Sequence, residues 1–198
     1  MTTDKRILLH VCCGPCATAS IERLIEDNWI VDLFYSNSNI SPKQEYDKRF
    51  EGVKKTAEYF NLKYFADEYD HEAWLDAVKG LEDQPEGGLR CALCFSYSFK
   101  RAAAFAETGG YDGFTSSLSI SPYKNSKLLF EKGADAGLFI EYNFKKKNGY
   151  KRSIELAREL GLYRQNYCGC EFSFSEMLER QRNKEHESEV HQGAGQNE

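Results

Sequence analysis

The sequence predicts an α/β fold, a parallel sheet with helices on both faces in a single domain. Three observations carry this. Short apolar runs alternate with longer stretches of helical periodicity, the pattern of parallel strands joined by crossover helices. The length of 198 residues suits one domain. No internal repeat and no linker divides the chain. In open sheets of this kind ligands sit beyond the carboxyl ends of the strands, and here the first candidate strand runs straight into cysteines.

The elements follow in order. Arg6–Val11 (RILLHV) reads as a buried strand, and the CCGPC segment after it turns the chain. Ala17, Ile21, Leu24 and Ile25 recur at helical spacing, predicting a helix over Ala17–Asp27. Ile30–Tyr35 is a second strand. Ser41-Pro42 resembles a helix start, with Ser at the cap and Pro in the first turn, leading into a helix over Lys43–Phe60. Lys63–Ala66 is a third strand, and His71–Val78 a short helix. After the EDQPEGG loop a helix is expected over Arg90–Thr108, stopped by Gly109-Gly110. Gly113–Ser117 reads as a strand, Ser126–Gly137 as a helix and Leu138–Ile140 as a last strand. Helices are expected over Ser153–Leu160 and Ser173–Lys184. The folded domain is read as residues 1–184. The tail 185–198 is polar, and its composition predicts disorder.

Composition narrows the function. No apolar run is long enough to span a bilayer, and no leader pattern precedes Arg6, so a cytoplasmic protein without membrane contact is expected. Net charge is −5, and the segment from Asn183 onward holds one Lys and four Glu. The body is therefore nearly neutral, and any nucleic-acid surface has to be local.

The seven cysteines fall into three groups: Cys12, Cys13 and Cys16; Cys91 and Cys94; Cys168 and Cys170. Structural thiols would scatter singly among apolar neighbours. In a reducing compartment, grouping points instead to metal or redox chemistry. Adjacent residues on an extended chain point to opposite sides, so Cys12 and Cys13 are expected to serve two neighbouring centres. Cys91 and Cys94 share a face at a helix start, where the helix dipole favours thiolate. Gly169 permits a tight turn that aims Cys168 and Cys170 inward. Spacing alone leaves open an iron–sulfur site, a four-thiolate zinc site and a pair of redox disulfides.

At these residues the chain resembles the cobalamin-independent epoxyqueuosine reductases. The resemblance runs through HVCCGPC at 10–16, FYSNSNISPKQEYDKR at 34–49, RCALCF at 90–95, TSSLSISPYKN at 115–125 and FKKKNGYKRSIELARELGLYRQNYCGC at 144–170. It implies a Rossmann-like fold related to the nucleotide α-hydrolases. It also implies a [4Fe-4S] cluster beside a second metal ion, taken to be iron, and reduction of epoxyqueuosine to queuosine at the tRNA wobble position. Some members carry Asp at the position of Cys16, and either group can ligate iron. Removing the epoxide oxygen takes two electrons and two protons, so a cofactor and an external donor such as a ferredoxin or flavodoxin are expected. Within this frame Cys13, Cys91 and Cys94 are assigned to the cluster. Cys12, Cys168 and Cys170, with Cys16, are assigned to the second metal and to the chemistry.

Substrate contacts are expected at Ser121, Tyr123, Lys124 and Asn125 in the SPYKN turn; the residues alone read it as a turn capping the next helix. Tyr46 and Arg49 share a helix face, either against the anticodon loop or against solvent. Lys145, Lys146 and Lys147, near Lys151 and Arg152, form the densest basic run and the candidate phosphate site. Tyr123, Phe144, Tyr150 and Tyr167 are candidate stacking rings. His10 reads as buried structure. Two other classes remain: a zinc-stabilised nucleic-acid-binding module and a metal-free thiol-disulfide reductase. Colour separates the first of these, because a cluster protein is brown and a zinc protein colourless.

Overall fold

The structure, a computed structural model, describes residues 5–194. Four parallel strands form one sheet in the order β3-β2-β1-β4. They are β1 (Arg6–His10), β2 (Ile30–Tyr35), β3 (Tyr64–Ala66) and β4 (Gly113–Ser116). In register, Leu9 pairs with Leu33 on one side and Thr115 on the other. The central β1 is covered on both faces, which is why it reads as a continuous apolar run rather than an alternating one. Ile7 and Leu9 face one core with Val31, Leu33 and Tyr35. Leu8 faces a second core with Phe34, Phe99 and Phe114. Burying each such side chain contributes about 1.5–3 kcal/mol.

The first core is closed by α1 (Gly14–Glu26), α2 (Lys43–Phe60) and α6 (Gly149–Glu159). The second is closed by α4 (Leu89–Thr108) and α5 (Ser126–Ala136). The short α3 (His71–Val78), capped by Asp70, turns Trp74 and Val78 inward. The last helix, α7, spans Glu171–Ala194.

Several boundaries differ from the sequence reading, each for a local reason. α1 begins at Gly14 with extended Cys13 as its cap, because Pro15 suits the first turn. Gly14 also lets α1 touch α2: a Cβ there would lie 2.3 Å from the Gly52 carbonyl oxygen. Ser41 does not cap α2; Pro42 holds that position, and the Ser41 N–H donates to the Gly169 carbonyl at 2.9 Å. Leu138–Ile140 is not a strand. It makes one parallel bridge, Phe114 to Phe139, with the Phe114 N–H donating to Leu138 O at 2.9 Å. α7 continues to Ala194, beyond the end at Lys184 read from the sequence. Residues 195–198 of the expected disordered tail lie outside the described residues.

Candidate metal centre

The chain leaves β1 at His10 and bends at Cys12 before α1 starts. This bend overturns the expected opposition of Cys12 and Cys13, whose sulfurs lie 3.9 Å apart. Side-to-side alternation holds along a strand, and here the strand has ended. Cys16, in the first turn of α1, completes a set whose three sulfurs all lie within 4.8 Å of one another. Hydrogen bonds from the Cys12 and Cys16 thiols hold Cys13 well below the usual thiol range. The same contacts with Cys13, together with burial, push Cys12 up, and Cys16 rises well above its usual value. Three thiols thus share one favoured thiolate.

The other four cysteines make a second neighbourhood. Cys91 sits in the first turn of α4, and its sulfur accepts from the Gly87 N–H at 3.2 Å. Burial raises both Cys91 and Cys94, and the charges of Cys168 and Cys170 raise Cys94 further. The helix start was expected to favour thiolate at both; desolvation outweighs it, because these thiols are taken out of water. Cys170 is raised by burial and then by Cys168. A divalent metal would reverse this balance, since a coordinated thiol is deprotonated outright.

Cys168-Gly169-Cys170 is tied down on every side. Arg49 Nη1 donates to Cys168 O at 2.7 Å, and the Gly169 N–H donates to Ser173 Oγ at 3.3 Å. Gly169 has φ +143, a region that L side chains rarely adopt, and a Cβ there would come within 3.1 Å of Arg49 Nη1. Cys168 lines the cavity described below, and Cys170 is buried with Trp74 and Val78.

Arg49 and Tyr46 are neither at a substrate surface nor on a solvated face. The Arg49 side chain is 0% exposed and pairs with Glu45 at 2.7 Å. Tyr46 is buried, packed on Tyr35 and Tyr69. A charged residue on a helix reads as exposed in sequence; here the guanidinium is spent on loop carbonyls and a carboxylate.

Asn125 is a helix cap, its Oδ1 accepting from the Lys127 and Leu128 N–H groups, as the turn reading allowed. Lys124 is nearly buried, with Nζ 2.9 Å from Cys168 Sγ and 3.5 Å from Glu86. Burial opposes its charge, but the Cys168 and Glu86 charges hold its pKa above the ordinary range. It therefore faces the cysteines and not a phosphate backbone. Lys145 Nζ donates to Lys124 O, while Lys146 and Lys147 line a separate cavity with Arg152. Arg152 is engaged by Glu22 at 2.8 Å. The basic run is thus split between two places.

A cavity of about 600 Å³ opens over Cys12, Cys13, Cys16 and Cys168. Ser121, Tyr123 and Lys124 line one side. The other is a wall that the sequence did not announce: Ser173, Met177, Arg180, Gln181 and Lys184 along one face of α7, with Arg164 from the preceding loop. Tyr123 is 85% exposed beside it. His10 is structural. Its Nδ1 lies 2.9 Å from Ser116 Oγ and its Nε2 3.1 Å from the Ser36 carbonyl, and burial lowers its pKa to about 4.

The donor set suits a thiolate-held metal. Seven thiols lie in two groups, all free. Beside Cys94, moreover, Trp74 Nε1 is a buried donor that makes no hydrogen bond of normal length and angle.

Comparisons with known proteins agree in direction. Among solved structures the fold is similar to the U34-tRNA thiolase NcsA of Methanococcus maripaludis, described with its [4Fe-4S] cluster (TM-score 0.51, 13% identity, 93% of this chain and 67% of that one). It is also similar to a predicted tRNA methyltransferase subunit of Methanocaldococcus jannaschii (TM-score 0.51, 15% identity, 77% and 74%). At these identities the likeness concerns the fold. Sequence relatives are nearer. The epoxyqueuosine reductase QueH of Streptococcus pyogenes is 39% identical over 84% of this chain and 69% of its own length. That of Thermotoga maritima is 38% identical over 88% and 93%. The model of the family described as epoxyqueuosine reductase QueH matches residues 7–176, a stretch that contains every cysteine and the cavity lining up to Ser173; the chain belongs to that family.

Proposed function

We propose that this chain reduces epoxyqueuosine to queuosine at the wobble position of tRNA, with a [4Fe-4S] cluster and a second metal ion, taken to be iron, held by its seven cysteines. The observation that carries the reading is the grouping of those thiols into a set of three that lines the cavity and a set of four that reaches it through Cys168. Family membership supplies the substrate.

Proximity favours a different division of the thiols from the one read off the sequence. Cys91, Cys94, Cys168 and Cys170 match the four ligands a cluster requires. Cys12, Cys13 and Cys16 suit a metal with an open position. Together the two groups would supply low-potential electrons and a Lewis acid for the departing epoxide oxygen. The protein's own residues do the rest. Arg49 and Ser41 fix the loop that carries Cys168. Lys124 places a cation against Cys168, where it offsets thiolate charge. An external electron donor, such as a ferredoxin or flavodoxin, completes the turnover. Among the described residues no helix is long and apolar enough to cross a membrane.

The tRNA is recognised at the mouth of the cavity. Arg164 makes no ion pair among the described residues, and Arg180 pairs there with Glu176 at 3.2 Å. Arg164, Arg180 and Lys184 ring the opening beside Tyr123 and Tyr150, a mixture of cations and rings suited to an unpaired RNA loop. They replace Lys145–Lys147 as the phosphate contacts in this reading. The deciding experiment is metal analysis of anaerobically prepared protein: at least four irons with labile sulfide per chain, and conversion of epoxyqueuosine in tRNA. Stoichiometric zinc without sulfide would sink the proposal.

A further inference from the structure

Trp74 is the largest fully buried side chain of the protein's described residues and lies in the cluster of core residues that includes Cys170, with Cys94 packed against it. Its place is fixed. α3 is capped by Asp70, whose carboxylate accepts from the Ala73 N–H at 2.9 Å. The indole is stacked on His71 at 5.5 Å and lies 6.3 Å from Phe172. His71 is itself held by Ser38 O at 2.7 Å and Glu171 at 3.0 Å. The ring therefore cannot swing its N–H out to water.

That N–H makes no hydrogen bond of normal length and angle, although it lies near enough to the Cys94 sulfur to favour its thiolate. Indole nitrogen is a donor only, and buried donors are nearly always satisfied because the desolvation cost is otherwise uncompensated. The thiol packed nearby is Cys94, whose thiolate form the Trp74 N–H favours. A neutral thiol is a weak acceptor, whereas a metal-bound thiolate is a strong one. The orphan donor and the buried thiol thus complement each other once Cys94 carries a metal. An N–H···S hydrogen bond withdraws electron density from a ligating sulfur, and such bonds are among the protein's means of setting a cluster's potential.

We infer that Trp74 donates its indole N–H to the Cys94 sulfur of the metal-loaded protein and holds the reduction potential of that metal group above the value it would otherwise have. Trp74 is on this view a positioning residue acting through Cys94. The inference rests on the cluster reading above.

The test uses anaerobically loaded full-length protein. Trp74→Phe keeps a ring and removes the N–H. The expected result is unchanged iron and sulfide content with a midpoint potential shifted to more negative values in a redox titration followed by electron paramagnetic resonance. A second measurement needs no variant: with 15N-indole tryptophan, the reduced wild-type cluster should show a nitrogen hyperfine coupling. Trp29, whose Nε1 donates to Tyr142 at 2.8 Å on the opposite core, should not contribute to it. An equal potential in Trp74→Phe, or no 15N coupling in the wild type, overturns the inference while the cluster reading stands. Wild-type protein without iron and sulfide overturns both.

Discussion

Arg49 donates to the carbonyl oxygen of Cys168 across 2.7 Å, so a residue in the middle of α2 sets the position of a thiol far along the chain. Its guanidinium also pairs with Glu45, and neither side chain is more than slightly exposed to bulk solvent. Arg49→Met leaves a buried carboxylate and loop carbonyls uncompensated, which should cost about 3–5 kcal/mol of stability. Arg49→Lys restores the charge without the planar fork and should recover only part of the metal content. Denaturant unfolding and iron analysis read the two effects; a Met variant as stable as wild type would show that the loop is held by other contacts.

The proximity of the thiols makes an opposite prediction from the sequence-based division. Cys168→Ala should lose the cluster spectrum as readily as Cys91→Ala. Cys12→Ala should keep four irons and lose the additional one. Retention of the full cluster absorption by Cys168→Ala would restore the division that places Cys13 with Cys91 and Cys94.

For tRNA, Arg164→Gln with Arg180→Gln should weaken binding of an anticodon stem-loop and flatten its salt dependence. The slope in log–log form should fall by roughly 0.7 for each single-strand phosphate that is no longer neutralised. Lys146→Gln with Lys147→Gln should leave the slope in place, since those residues line a different cavity. If the lysine pair flattens it and the arginine pair does not, the RNA crosses the other face of the protein.

Tyr123 is largely exposed at the cavity mouth. Stacking on a base is worth about 1–3 kcal/mol by alanine substitution. Tyr123→Ala should therefore slow single turnover about tenfold or more, with a smaller change in overall tRNA affinity. Equal losses in rate and affinity would reduce Tyr123 to a general RNA contact.

Asp67 supplies a pH prediction. Burial works to raise its pKa, but Arg101 and Ser36 win and hold it below the ordinary value of 3.8. A depressed carboxylate stabilises the fold above its unfolded pKa, and that contribution is lost as pH falls through and below about 4. The pair is partly solvated, so the effect is about 1 kcal/mol. Asp67→Asn should lower stability at pH 7 and remove part of the acid-side decline. Parallel pH–stability curves for the two proteins would show that the pair is fully screened.

Much of this fold was legible because its signals are local. β1 and β2 are continuous apolar runs, and the cysteine groups declare themselves by spacing. What stayed hidden depends on tertiary context. Arg49 looks like a surface charge because nothing in its own helix reveals the loop it holds. Cys12 and Cys13 look opposed because the end of β1 cannot be placed to the residue. The cavity face of α7 is mostly polar, so it carries no amphipathic stripe. Leu138–Ile140 has strand composition but shares only one bridge with β4.

The contact between Gly14 and Gly52 has a mechanical meaning. A Cβ at Gly14 would meet both the Gly52 carbonyl and Thr56 Oγ1, so main chain rests directly against main chain. Side-chain packing can yield by changing rotamer; a backbone stop cannot. Cys13 and Cys16 flank Gly14 at the start of α1, and Arg49 lies less than one turn from Gly52. The contact thus acts as a gauge block between the three-thiol set and the arginine that seats the Cys168 loop, and a side chain at Gly14 would move one ligand group relative to the other.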